Sequence, residues 1–241
     1  MTSSNHSSSS AVENPSLNFV LFMVLGAIGA LTPLAIDMYL PAMPDIARDL
    51  NVTPGEVQIT LTMYTAGFAI GQLIHGPISD SYGRRPVLIG GTLFFMLAAI
   101  ISATVSDIDS LTYVRAAQGF AGAAAAVIIQ AVVRDMFERE DFARAMSFVT
   151  LVITIAPLIA PMIGATLRYG LAGEGYSGLS GVLNASDRVS HVRIPETLPV
   201  ENRSPLRMGT TLRNYFKLLL NPVAIGLMFC GAFSFSGMFA S

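Results

Sequence analysis

The chain has 241 residues, of which 52% are hydrophobic and 12% charged, and its formal net charge is −2. A soluble domain carries roughly 25% charged residues, so this deficit excludes a water-facing globular protein and points to an integral membrane protein. No basic run or basic–aromatic pattern offers a nucleic-acid surface, and the single Cys230 excludes an intrachain disulfide framework.

The start, "MTSSNHSSSSAVENPS", is rich in Ser and Asn and has no Lys or Arg. It lacks the basic region and cleavage site of a signal peptide, and residues 1–17 are expected to be a disordered cytoplasmic tail. A bilayer core about 30 Å thick needs about 20 apolar residues in a helix. Five runs qualify, at about 19–40, 58–78, 87–106, 109–133 and 146–168, which together predict a transmembrane bundle over residues 18–168. A further run begins near 219 and continues to the chain end. Arg84 and Arg85 follow the second span, and Arg134, Arg139 and Arg144 follow the fourth, whereas only Arg48 lies on the other side. The positive-inside rule therefore predicts a cytoplasmic N-terminus.

Within the first span, "LAIDMYLPAMP" carries Asp37 and Tyr39. At a rise of about 1.5 Å per residue, Asp37 falls about 27 Å along the helix, near its outer end. The fourth span runs the opposite way and carries "LTYVRAAQGFAGAAAA", which places Arg115 about 9 Å inside its outer end. The two charges thus share a level. Such groups either snorkel to the interface or face the bundle interior and pair. Gln118 falls on roughly the same side as Arg115, and Gly119, Gly122, Ala123 and Ala124 are small enough for close helix contact. Gly67 and Gly71 are read as helix-packing positions, and His75 as a helix-end residue.

Between the second and third spans stands "GQLIHGPISDSYGRRPVLIGG". Gly76–Pro77 is expected to end one helix, with Asp80 and Gly83 shaping a tight turn before Arg84 and Arg85. On its own this is also compatible with an ordinary positive-inside loop. In the fifth span, "TIAPLIAPMIG" places Pro157 and Pro161 four residues apart, with Gly164 beyond; each proline removes a backbone donor and bends the helix.

Residues 169–192 interrupt the pattern. After five crossings the chain should lie outside, yet the stretch that follows holds Arg188, Arg193, Arg203, Arg207, Arg213 and Lys217, a cytoplasmic signature. One crossing is missing, and the Gly/Ser-rich, charged stretch 169–192 is too polar to supply it, since each central charge costs about 3 kcal/mol. The expectation is that 169–192 is frame-shifted or otherwise altered coding sequence replacing a span; a genuine periplasmic insertion is the alternative. Residues 193–218 then read as a basic cytoplasmic linker, and 219–241 as the start of a second bundle.

The loop G-x-x-x-D-x-x-G-R-R, here Gly76, Asp80, Gly83, Arg84 and Arg85, resembles the signature loop of the major facilitator superfamily, with Ser81 standing where Arg is usual. Together with "DMYLPAMP", "RAAQG" and "APLIAP", the chain resembles the bicyclomycin-resistance family of drug:proton antiporters over about residues 17–167 and again from "RIPETLP". The resemblance implies an all-α integral membrane protein with a partial major facilitator fold: five N-terminal spans plus one later span, the family's sixth missing and five more absent beyond residue 241. It implies proton-coupled multidrug efflux at a bacterial inner membrane. Asp37, Tyr39, Arg115 and Gln118 would serve substrate or proton binding, the signature loop gating, and Pro157, Pro161 and Gly164 an antiporter-type kink, although Ala156 replaces that motif's usual Gly. The implied partners are small-molecule drugs, protons and lipid, with no obligatory protein partner, no metal and no cofactor beyond the proton gradient. Nothing resembles a hydrolytic triad or phosphate loop, so an enzyme is not expected. Two alternatives stay open: an inactive membrane-embedded remnant, and a half-size transporter acting as an oligomer.

Overall fold

The computed structural model describes residues 15–170, 195–203, 205 and 208–230. The chain divides into two compact units, residues 1–203 and 204–241. The anomalous segment 169–192 lies outside the described residues from position 171 on, as do the tail 1–14 and residues 231–241.

The first span is not one continuous helix. Helix α1 (Pro15–Gly29) is followed by α2 (Leu31–Asp37), a 3-10 turn at Leu40–Ala42 and α3 (Met43–Asp49). Pro33 has no N–H to offer the Gly29 carbonyl, and Pro41 and Pro44 break the ladder again. The expected run of about 19–40 is therefore a broken element reaching Asp49. Its glycines allow close approach to a neighbour. A Cβ at Gly26 would stand 2.6 Å from the Cβ of Val152 in α7 (Arg139–Gly170).

Helix α4 (Pro54–Tyr82) opens with a capping box. The Thr53 N–H donates to Glu56 Oε2 at 2.8 Å, and the Glu56 N–H donates to Thr53 Oγ1 at 3.3 Å. The helix does not end at Gly76–Pro77 as expected. One missing N–H is tolerated, and the hydroxyls of Ser79 and Ser81 donate to the Gly76 and Pro77 carbonyls at 2.9 and 3.0 Å. The stop comes at Gly83, whose φ of 105° is open to glycine and strained for other residues. His75 accordingly lies seven residues before the last helical residue rather than at the helix end.

Helix α5 (Arg84–Thr104) and α6 (Ile108–Met136) are joined by three residues, which makes them antiparallel neighbours. Asp107 caps α6, accepting from the Ser110 N–H at 2.7 Å. That bond holds the Asp107 carboxyl below the usual carboxylate range. The cap's contribution is therefore complete above that range and is lost as pH falls through the depressed value.

Four elements among the described residues are long and apolar enough to cross a bilayer: Phe19–Asp49, Pro54–Tyr82, Arg84–Thr104 and Ile108–Met136. Their outward faces carry exposed Ile70, Leu73, Leu97 and Ile101, while Leu25, Ile28, Leu88, Phe95, Ile128 and Val132 form the core. In the second unit, α8 (Met208–Leu219) precedes a helical stretch at 222–230.

The α4–α6 contact is made by backbone against backbone. A Cβ at Gly67 would lie 2.0 Å from the Ala116 carbonyl oxygen, and one at Gly119 would lie 1.9 Å from that of Tyr64. A main chain cannot yield as a flexible side chain can. Gly119→Ala is expected to cost about 3 kcal/mol, the upper end of an overpacking penalty, and to lower the melting temperature of the detergent-solubilised chain. Gly90, with nothing within 4 Å of an added Cβ, is the control: Gly90→Ala should leave melting unchanged or raise it.

Candidate functional site

Arg115 is buried, near the start of α6 in the first unit. Its Nη1 donates to Gln118 Oε1, one turn along α6, at 2.8 Å, and its Nη2 donates to the Ala35 carbonyl at 3.3 Å. That carbonyl is available for a local reason. At the frayed end of α2 the Met38 N–H bonds to Leu34 and the Tyr39 N–H to Ile36, so the backbone ladder skips Ala35. The guanidinium carbon also lies 4.1 Å from the centre of the Tyr39 ring and 4.9 Å from that of Tyr64. Hydrogen bonds to a charged group contribute about 1.5–3 kcal/mol each, and a desolvated cation–π contact about 2 kcal/mol. Rings and acceptors therefore matter comparably in keeping a cation in an apolar bundle.

Tyr39 is itself fixed. The Thr60 hydroxyl donates to the Val57 carbonyl at 2.7 Å, which leaves Tyr39 Oη to donate to Thr60 Oγ1 at 2.6 Å. Asp37 is the last residue of α2 and half-buried. Among the described residues it forms no ion pair with Arg115. The structure thus brings together three of the four expected residues, Tyr39, Arg115 and Gln118. It adds Tyr64 and Thr60, which look in sequence like ordinary span residues.

The signature loop forms a second polar cluster. Arg84 is the first residue of α5, and its side chain is buried. Its Nε donates to Asp135 Oδ2 near the end of α6 at 3.1 Å, while Nη1 donates to Ser79 Oγ at 2.7 Å and to Asp80 Oδ1 at 2.5 Å. One guanidinium thus ties α4, α5 and α6 together. Gly76 contributes its carbonyl to Ser79, and Gly83 lets the chain pass where a Cβ would meet Glu196 Oε2 and Arg203 Nη2, each at 2.7 Å.

The N-terminus of α5 has no capping side chain of its own. Glu196 supplies one from 112 positions away: Oε1 accepts from the Arg84 N–H at 2.9 Å, and Oε2 from the Arg85 N–H at 3.2 Å. An anion at a helix N-terminus meets both unsatisfied donors and the positive end of the dipole. Oε1 also accepts from the Leu198 N–H at 3.1 Å, and Thr197 Oγ1 donates to Asp135 Oδ2 at 3.4 Å. Sequence reading missed Glu196 and Asp135. The available signals were a helix start preceded by Gly, which lacks a local cap, and the acid within "RIPETLP".

His75 is buried, with Nδ1 2.8 Å from the Gly71 carbonyl and its ring 4.8 Å from that of Phe120. Pro157, Pro161 and Gly164 lie within α7, which continues to Gly170; their side chains lie outside the described residues.

The family profile described as Major Facilitator Superfamily matches residues 25–241. A bicyclomycin resistance protein homolog of Haemophilus influenzae is 39% identical over 225 residues, covering 92% of this chain and 56% of that protein. Multidrug resistance protein D of Escherichia coli is 37% identical over 186 residues, covering 77% of this chain and 47% of its own. The human organic anion transporter TETRAN shares the fold, with a TM-score of 0.64 at 19% identity, over 80% of this chain and 51% of that one. The chain spans about half the length of the curated relatives it matches. It is an all-α, multi-pass membrane protein related to multidrug and bicyclomycin-resistance proteins, and it belongs to the major facilitator superfamily, whose members are transporters and not enzymes.

Proposed function

We propose that this chain is the N-terminal share of a proton-coupled exporter of small drugs at a bacterial inner membrane, with its N-terminus in the cytoplasm. The observation that carries this reading is Arg115: a buried guanidinium between two tyrosine rings in a bilayer-spanning bundle, held by the Ala35 carbonyl two positions before the half-buried Asp37. Intramembrane charges are costly and mark solute or proton paths. The relatives' names supply the substrate class, since they are described as bicyclomycin- and multidrug-resistance proteins.

In this mechanism Asp37 exchanges the proton. It stands at the end of α2, two residues beyond the carbonyl that holds Arg115. A change in its charge acts on the frayed turn and therefore on the hold over the guanidinium. Protonation would favour one facing of the site and release the other, and drug binding would compete with the proton for that state. Tyr39 and Gln118 position Arg115 and line its surroundings. The Arg84–Asp80–Asp135 cluster, with Glu196 on the α5 N-terminus, acts at the other end as the gate's fixed side. Pro157, Pro161 and Gly164 are assigned the bend in α7.

The relatives are about twice as long, and rocking transport needs two bundles around a central site. That observation favours a second reading, in which this length of chain inserts without transporting. A pump-deficient host expressing the chain separates them. Transport predicts raised drug tolerance that Asp37→Asn abolishes while the protein's melting stays unchanged; stably inserted protein with no tolerance gain favours the second reading. Arg115→Gln should abolish tolerance and also cost about 1–3 kcal/mol, because Gln118 and the Ala35 carbonyl lose a buried partner. Glu196→Gln keeps an acceptor but loses the charge facing the helix dipole. A destabilisation of about 0.3–1 kcal/mol is expected, read as a lower melting temperature at low salt that high salt narrows.

A further inference from the structure

Helix α8, "MGTTLRNYFKLL", is not a spanning helix, yet its sequence is sharply two-faced. Met208, Leu212, Tyr215, Phe216 and Leu219 recur at spacings that share one stripe, while Thr210, Arg213, Asn214 and Lys217 fall on the opposite one. Arg213, Asn214 and Lys217 are exposed, and so is the large ring of Phe216, at 68%. Leu220, the residue after the helix, is 70% exposed. An apolar stripe backed by cations, on a helix of low overall hydrophobicity, is the pattern of a helix that lies in a membrane surface.

The junction at the C-terminal end of α8 supports that placement. The Leu220 and Asn221 N–H groups close on Phe216 and Leu218 at 3.1 Å, and the Asn221 side chain then accepts from the Val223 N–H at 3.0 Å. One helix ends and another starts within two residues, with Asn as the cap and Pro222 at the first helical position. The new helix, residues 222–230, is apolar, and Val223, Leu227 and Phe229 are exposed. An amphipathic helix that gives way within two residues to an apolar one matches a chain passing from headgroup level toward the acyl region.

We infer that α8 is an interfacial helix that lies along the membrane with Phe216 among the acyl chains and Arg213 and Lys217 on anionic phospholipid headgroups. At 12 residues it is about 18 Å long, enough to bring both cations over neighbouring lipids. It anchors the segment leading into residues 222–230, so that the following helix enters the bilayer from a fixed level. This does not depend on whether the chain transports.

The test uses the full chain with Cys230→Ser, reconstituted into phosphatidylcholine vesicles with or without phosphatidylglycerol. A fluorophore is attached at Phe216→Cys or at Asn214→Cys. The expected result is a Phe216 probe quenched by brominated acyl chains and shielded from aqueous acrylamide, and an Asn214 probe with the reverse pattern. Lipid quenching at 216 should rise with phosphatidylglycerol. Arg213→Gln or Lys217→Gln should each lower the interfacial equilibrium by roughly fivefold, the attraction of one basic residue to an anionic surface. A probe at Tyr215→Cys, which leaves Phe216 in place, should repeat the 216 pattern. Acrylamide access at 216 equal to that at 214 would overturn the proposal. So would shielding of 216 from both quenchers, which would mean that protein covers it, and so would quenching indifferent to anionic lipid and to both charge removals.

Discussion

Two main chains touch where α4 crosses α6, and much of the first unit is arranged around that contact. Gly67 faces the Ala116 carbonyl and Gly119 faces that of Tyr64, so neither helix can carry a Cβ at the crossing. In lipid there is no hydrophobic gain from pressing two apolar helices together, and close packing of small residues must supply the association. The same contact sets the site. Arg115 precedes Ala116, and Tyr64 is the residue whose backbone meets Gly119. Bringing the helices to this distance lays the Tyr64 ring within 4.9 Å of the guanidinium. Further along, α6 presents Asp135 to Arg84 at 3.1 Å. One crossing thus aligns a cation in the apolar interior and an ion cluster at one end.

Each polar cluster uses a defect in helical hydrogen bonding. At the end of α2 the ladder skips the Ala35 carbonyl, and Arg115 takes it. At the start of α5 the first two N–H groups have no local cap, and Glu196 takes both. Unsatisfied backbone groups are expensive in a bilayer protein. Placing ionisable side chains on them stabilises the helix ends and makes those ends responsive to charge.

The physical logic of the sequence was readable wherever the signal was local. Apolar run length marked the four elements that are long and apolar enough to cross a bilayer, and small residues at 67, 71 and 119 marked the helix contact. Thr53 and Glu56 spell a capping box within four positions. Local signals also misled. Gly76–Pro77 reads as a helix stop, but α4 runs through it, losing the one N–H that proline lacks, and the positive φ that ends the helix comes only at Gly83. Counting residues puts Asp37 and Arg115 at one level, but it was the Ala35 carbonyl and not the Asp37 carboxyl that the structure joins to the guanidinium.

The sequence alone determined that this chain lives in a bilayer, how many apolar runs it offers, and that its loop and "RAAQG" residues belong to a transporter family. All of these depend on composition and on spacings within one element, which the chain encodes directly. Only the tertiary structure decided which acceptors hold Arg115, that Tyr39 and Tyr64 box it, and that Glu196 caps a helix 112 positions earlier. Those relations depend on the angle and distance at which helices cross, which residues far apart in the chain set jointly and no single stretch records.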